Sequence, residues 1–106
     1  MIRIAKTSDF ATQPLRTYRI LGRSVGVFRE SGGGFRAMEM ACKHQGADLS
    51  GGRLKDNIIT CPWHGWKYDL STGECTWGAP VHLRPYACEV RGEDIYISLR
   101  PVEVDE

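Results

Sequence analysis

Two short segments of this chain each pair a thiol with an imidazole: Cys42-Lys43-His44-Gln45-Gly46 and Cys61-Pro62-Trp63-His64-Gly65-Trp66. The spacings are C-x-H and C-x-x-H, with sixteen residues between His44 and Cys61. The chain holds only four Cys and three His, so finding two of each in two matched boxes is not a chance pattern. Each box offers a metal one sulfur and one nitrogen. The histidine sits too near its cysteine to point elsewhere, yet far enough along to reach a second metal. That arrangement suits a binuclear iron–sulfur centre. A tetrahedral Cys₂His₂ zinc site would use the same residues, although structural zinc sites usually pair like with like, as C-x₂₋₄-C and H-x₃₋₅-H. A disulfide reading leaves both histidines unexplained, and no secretory segment places the chain in an oxidising compartment.

The elements that must position these boxes are short and β-prone. Ile2 and Ile4 alternate with polar residues as a first edge strand. Arg16 to Leu21 and Ser24 to Arg29 flank a tight turn expected at Gly22-Arg23. Ser31-Gly32-Gly33-Gly34 separates Val25 to Phe28 from a strand over Phe35 to Ala41, which would deliver Cys42 to the first loop. Ala47 to Gly52 is turn-rich. Ile58-Ile59-Thr60 leads into Cys61, with Trp66 to Asp69 as its hairpin partner and Ser71-Thr72-Gly73 as a turn. Tyr86 to Val90 and Ile95 to Leu99 make a last hairpin, and Pro101 to Glu106 is an acidic tail expected to be poorly ordered. Only Ser8 to Ala11 reads as a brief helical start. The expected fold is therefore all-β: an antiparallel sandwich-like base with a small cluster-binding subdomain inserted at about residues 42 to 80, in one domain over 1–106.

At 106 residues, 42% hydrophobic and 25% charged, the composition is that of an ordinary soluble domain. A formal net charge of +1 argues against a nucleic-acid partner. Charge is unevenly spread: residues 1 to 36 carry seven Lys or Arg against two acids, and residues 37 to 106 seven against eleven. Acidic residues after the boxes, including Glu89, Glu93 and Asp94, are candidates for steering a basic redox partner. No apolar run reaches membrane-helix length and no signal-peptide core is present, so no membrane partner is expected and the setting read from the sequence is cytoplasmic.

The two boxes resemble those of the Rieske family, in which two His replace two Cys on one iron of a [2Fe–2S] cluster. The resemblance implies one such cluster per chain, with Cys42 and Cys61 on one iron and His44 and His64 on the other, and no catalytic residues. Gly46 and Gly65 match the family's loop glycines, which let backbone N–H groups approach the cluster sulfurs, and Gly78-Ala79-Pro80 with Leu83 and Tyr86 looks like its proline loop. The respiratory branch has an extra Cys in each box, where this chain has Ala47 and Trp63. It also has a Ser where this chain has Trp66. A lost donor to sulfur disfavours the reduced cluster, which places the potential near the low end of the Rieske range, about −150 mV, while Tyr68 keeps the family's aromatic hydroxyl. Trp63, Trp66, Tyr68 and Trp77 either fill the small subdomain or keep water from the sulfurs. Cys75 and Cys88 read as ordinary buried thiols, and His82 as a surface histidine.

The second box is most similar to the Rieske domain of ring-hydroxylating oxygenases. Those enzymes also need a mononuclear iron held by two His and a carboxylate, and only His82 is left over. The resemblance thus implies a soluble electron carrier, a Rieske-type ferredoxin between a flavin-dependent reductase and a terminal oxygenase. Two alternatives remain at this point: a small Rieske subunit of a larger oxidoreductase such as NAD(P)H nitrite reductase, and a zinc-stabilised interaction module. Ligand imidazoles facing solvent would lose a proton at high pH more readily when the cluster is oxidised. The reduction potential is expected to fall with pH in the alkaline range, measured by potentiometric titration, and a flat profile would remove the solvent-facing histidines.

Overall fold

The computed structural model describes residues 1–30, 32–42, 48–63 and 65–101. His44, His64, Lys43, Gln45, Gly46, Ala47, Ser31 and the acidic end at 102–106 lie outside the described residues. Ten strands are described: β1 (Ile2–Lys6), β2 (Leu15–Ile20), β3 (Arg23–Arg29), β4 (Phe35–Glu39), β5 (Arg53–Lys55), β6 (Ile58–Thr60), β7 (Lys67–Asp69), β8 (Cys75–Trp77), β9 (Pro85–Arg91) and β10 (Asp94–Pro101). They form two antiparallel sheets, one of six strands in the order β1-β10-β9-β4-β3-β2 and one of four in the order β5-β6-β7-β8. The all-β antiparallel architecture is as expected from the sequence, with Ile2 and Ile4 on an edge strand. The smaller sheet falls wholly between β4 and β9 in the chain.

Strand β3 explains how the two sheets share one body. Val25, Gly26, Val27 and Phe28 are all buried, so both of its faces are covered and the usual apolar–polar alternation is lost. Val25 and Val27 join Ala5, Phe10, Ala37, Tyr86, Ile95 and Ile97 in one core. Phe28 joins Met38, Met40, Leu49, Ile59, Tyr68, Leu70 and Leu83 in another. Neighbouring β4 does the same, with Ala37 in the first core and Met38 in the second. The two strands are a wall between the base and the smaller subdomain. The first core is lined from both halves of the six-stranded sheet, which meet at only two registered pairs, Ala37 with Tyr86 and Met38 with Pro85.

Some boundaries differ from the expectation. The β2–β3 turn is Leu21-Gly22, with Ile20 paired to Arg23, one residue earlier than expected. Both turn residues have positive φ, 49° and 77°, the pairing that matches the twist of a two-residue hairpin. Strand β4 stops at Glu39 rather than Ala41, and Ala41 instead bridges Asp48. The helical start is a single 3-10 turn over Thr7–Phe10, where the Asp9 carboxylate accepts from the Lys6 N–H at 3.0 Å.

Asp48 closes the neck of the first box. Its Oδ1 accepts from the Ser50 N–H at 2.9 Å and from the Ser24 hydroxyl at 3.2 Å, capping the turn Leu49–Gly51, while the Leu49 N–H donates to the Met40 carbonyl at 2.9 Å. Burial works against ionisation of this carboxyl, but the donors of Ser50 and Ser24 together with Arg19 hold it below its ordinary value. A depressed carboxyl stabilises the fold above its unfolded pKa and loses that contribution as pH falls through the folded one. Replacing Asp48 with Ala is expected to cost about 1 kcal/mol in urea unfolding at neutral pH, as for loss of an N-cap. The gap from wild type should close as pH drops below 3.8, the ordinary carboxyl value.

Candidate metal centre

The two box cysteines come from different loops and end in the same apolar core. Cys42 is 2% exposed and Cys61 3%, both as free thiols. Met40, two residues before Cys42, is fully buried against the backbone of β3. A Cβ at Gly26 would lie 2.6 Å from the Met40 Cγ and Sδ, so only glycine lets that chain segment approach so closely. Cys61 leaves β6 at Thr60, where Gly52 presses on the strand. A Cβ at Gly52 would sit 2.4 Å from the Thr60 carbonyl oxygen. In the sequence Gly51-Gly52 shows only as part of a turn, because the close approach is a tertiary contact with no local signature.

The second box is a tight backbone loop. The Cys61 N–H donates to the Trp66 carbonyl at 2.7 Å, and the Gly65 N–H donates to the Cys61 carbonyl at 3.1 Å. Gly65 has φ +77°, so the left-handed turn is what demands glycine here. Its own N–H is engaged inside the loop. Trp66 is partly buried against the core, and the proline loop lies flat on it: a Cβ at Gly78, φ +144°, would fall 2.5 Å from the indole ring. That loop is held from below, with the Cys75 N–H donating to the Val81 carbonyl at 2.8 Å and the Leu83 N–H to Gly73 at 2.7 Å. Leu83 is buried in the core shared by Cys42 and Cys61.

Tyr68 is fully buried, and its hydroxyl lies 3.4 Å from Cys42 Sγ. A thiolate accepts only, so with Cys42 deprotonated the tyrosine is the donor. The four aromatic residues of this region divide in two: Tyr68 and Trp66 pack inward, while Trp63 and Trp77 stand 60% and 61% exposed. Cys75 and Cys88 are half-buried rather than buried. The Cys75 thiol donates to the Trp77 carbonyl at 3.4 Å, and burial pushes the Cys88 thiol up from its usual value. His82 is exposed and bridges Glu74 through the backbone, as expected of a surface residue.

Two buried thiols converging from two loops, unpaired by a disulfide and met by a hydroxyl donor, fit a thiolate-held iron–sulfur group. Iron is thiophilic, and a buried thiolate without a metal or other partner would be costly. Among the described residues no polar or charged residue is classed as buried, so no buried carboxylate competes for this centre.

The chain matches the model of the Rieske [2Fe-2S] domain over residues 1–87. It is 34% identical over 79 residues to the oxidoreductase NdmD of Pseudomonas putida, covering 74% of this chain and 13% of that protein. It is 41% identical over 72 residues to the aminopyrrolnitrin oxygenase PrnD of Pseudomonas fluorescens, covering 68% of this chain and 18% of that protein. The chain thus spans less than a fifth of the length of either relative. In three dimensions it is similar to a chain of the complex of reduced oxygenase and oxidized ferredoxin in carbazole 1,9a-dioxygenase, with TM-score 0.83, 27% identity and coverage of 97% and 96% of the two chains. The ferredoxin of carbazole 1,9a-dioxygenase from Nocardioides aromaticivorans shares the fold, with TM-score 0.78, 24% identity and coverage of 93% and 97%. A sequence match over most of the chain, the same antiparallel fold and two buried thiols on separate loops agree: this protein belongs to the Rieske [2Fe-2S] domain family, and its cofactor is a Rieske-type [2Fe–2S] cluster.

Proposed function

We propose that this chain is an electron carrier, with Cys42 and Cys61 as thiolate ligands of one iron and His44 and His64 as imidazole ligands of the other. The observation that carries the reading is the convergence of Cys42 and Cys61 in one buried apolar core. A bound cluster supplies a one-electron couple, neutral overall when oxidised and carrying one negative charge when reduced. The chain's own work is to fix the ligands and control what surrounds them. Met40, Leu49, Leu70 and Leu83 keep water from the sulfurs, and the low-dielectric surroundings penalise the added charge. The Tyr68 hydroxyl offsets part of that penalty by donating toward Cys42 Sγ. The short loops, pinned at Asp48, Gly52 and Gly78, hold ligand geometry nearly constant between redox states, which favours fast exchange.

The partners proposed are a flavin-dependent reductase upstream and a terminal oxygenase downstream, in a cytoplasmic setting. The likeness to a chain from an oxygenase and ferredoxin complex supports the oxygenase side. No helix among the described residues is long and apolar enough to cross a membrane. A second reading has its own support: the curated relatives are far longer proteins, oxygenases among them. In that reading the same unit relays electrons inside a fixed oxidoreductase. The two readings share the ligands and differ in whether the chain saturates an added oxygenase as a diffusible substrate would. The zinc alternative is set aside by the family match.

The deciding experiment is the visible absorption of freshly purified protein and its EPR after dithionite reduction. A red-brown protein with a rhombic reduced signal is expected, and each of Cys42→Ala, His44→Ala, Cys61→Ala and His64→Ala should abolish it. A histidine variant that retained the unaltered signal would remove that residue from the ligand set. A colourless protein holding stoichiometric zinc would overturn the carrier reading. Tyr68→Phe should keep the cluster and lower its potential, because the reduced state loses a donor. For one hydrogen bond of about 1 kcal/mol the drop is about 40 mV by the one-electron conversion, read by protein-film voltammetry.

A further inference from the structure

The small sheet has one face in the core and one in solvent. Leu54, Ile59 and Tyr68 are cross-strand neighbours on the inner face. Alternation then puts Arg53 and Lys55 of β5, Ile58 and Thr60 of β6, and Lys67 and Asp69 of β7 on the outer one, with the Asp69 carboxylate accepting from the Ser71 N–H and hydroxyl. Register makes a continuous row across three strands: Arg53 pairs Thr60, and Thr60 pairs Lys67. Residues directly opposite on neighbouring strands share a face, so the row runs from a guanidinium to an ammonium, and beyond a bulge in the β7–β8 pairing Thr76 lines the same groove, next in the chain to an indole that is 61% exposed. A groove of about 730 Å³ lies along it, lined by Arg53, Lys55 and Lys67 and reaching Cys61 and Pro62 of the second box. Its single carboxylate is Asp56, at the β5–β6 turn.

None of these three cations meets a carboxylate within ion-pair distance among the described residues, in contrast to Arg3, Arg19, Arg36 and Arg91, which do. The acidic residues suggested by the sequence for partner steering are differently placed. Glu89 pairs with Arg91 at 2.9 Å and Asp94 with Arg3 at 3.3 Å, on the β9–β10 hairpin. Strand β9 enters the wall region at Pro85, beside Met38, and reaches that hairpin six residues later, about 20 Å away at the usual strand rise. Along the groove beside the second box three cations, Arg53, Lys55 and Lys67, stand against one carboxylate, Asp56, so its balance is positive.

We infer that the outer face of the small sheet, Arg53, Lys55 and Lys67 with Trp77 at its rim, is the docking surface for an acidic patch on a redox partner protein. This rests on the carrier reading and sets the sign of the partner's charge, opposite to the one the sequence suggested. Exposed aromatic rings beside Arg and Lys fit a protein partner better than a small anion, since such rings are enriched where protein surfaces bury. Cations beside the second box also raise the encounter rate of negatively charged partners in a salt-dependent way.

The test compares wild type, Arg53→Glu/Lys67→Glu, and a control with the same charge change on the distant edge strand, Arg3→Glu/Lys6→Glu, after circular dichroism confirms folding. One readout is stopped-flow oxidation of the dithionite-reduced protein by hexacyanoferrate(III), which takes one electron, against tris(phenanthroline)cobalt(III), of opposite charge. Wild type should react with the anionic oxidant at a rate that falls with ionic strength. The groove variant should lose about tenfold at low salt, and the control should lose much less. The cationic oxidant should show the reverse order. The second readout, fluorescence anisotropy of a labelled decaglutamate peptide, needs no electron transfer: binding should be lost in the groove variant and kept in the control. Equal losses in both variants, or none in either, overturn the assignment. Displacement of the peptide by equimolar inorganic pyrophosphate would make the groove a small-anion site and overturn it as a docking surface. Failure of the carrier reading is distinguishable, because it appears as a missing cluster spectrum while the peptide result stands on its own.

Discussion

The close approach of Met40 to the backbone of Gly26 is the contact on which the rest depends. It seals the second face of a strand whose first face is already committed to the base, and it leads directly into Cys42. Because β3 and β4 are covered on both sides, the base does more than carry the cluster loops. These two strands supply part of the floor against which both cysteines pack. Close-packed interiors transmit displacement rather than absorb it. A change of volume at Phe28 or Met38 is accordingly a change at the metal centre as well, although neither residue belongs to a box.

The site is built with apolar material on the sulfur side and polar, charged material outside. Cys42 and Cys61 sit among Met40, Leu49, Leu70 and Leu83 with one hydroxyl for company. The surface immediately outside carries two tryptophans and uncompensated cations. The interior sets the energy of the electron, and the exterior selects who comes to exchange it. These can vary separately, since Leu54, Ile59 and Tyr68 on one face of the small sheet alternate with Arg53, Thr60 and Lys67 on the other.

The boxes were legible because ligand chemistry is local: a thiol and an imidazole two or three residues apart are a pattern in one dimension. Long strands such as β3 and β10 were legible through β-branched and aromatic runs. Strands β5 and β8 were not, because Arg53-Leu54-Lys55 and Cys75-Thr76-Trp77 are too short to show a period and owe their conformation to pairing with β6 and β7. The hairpin turn was misplaced by one residue because Leu21, a residue with no preference for positive φ, takes the position that register forces on it. The role of Glu89 and Asp94 was misjudged for a related reason. Charge in a sequence has a sign but no partner until Arg91 and Arg3 are brought beside it.

Burial of the two thiols also imposes an order of events in the life of the molecule. At 2% and 3% exposure, Cys42 and Cys61 offer almost nothing to iron or sulfide arriving from solvent once the core has closed over them. Maturation must therefore precede, or transiently undo, the docking of the small sheet onto the β3–β4 wall. The small sheet is made wholly of three-residue strands, and short elements with few paired residues are the ones whose local opening costs least. The same closed core that shuts iron and sulfide out would also keep them in.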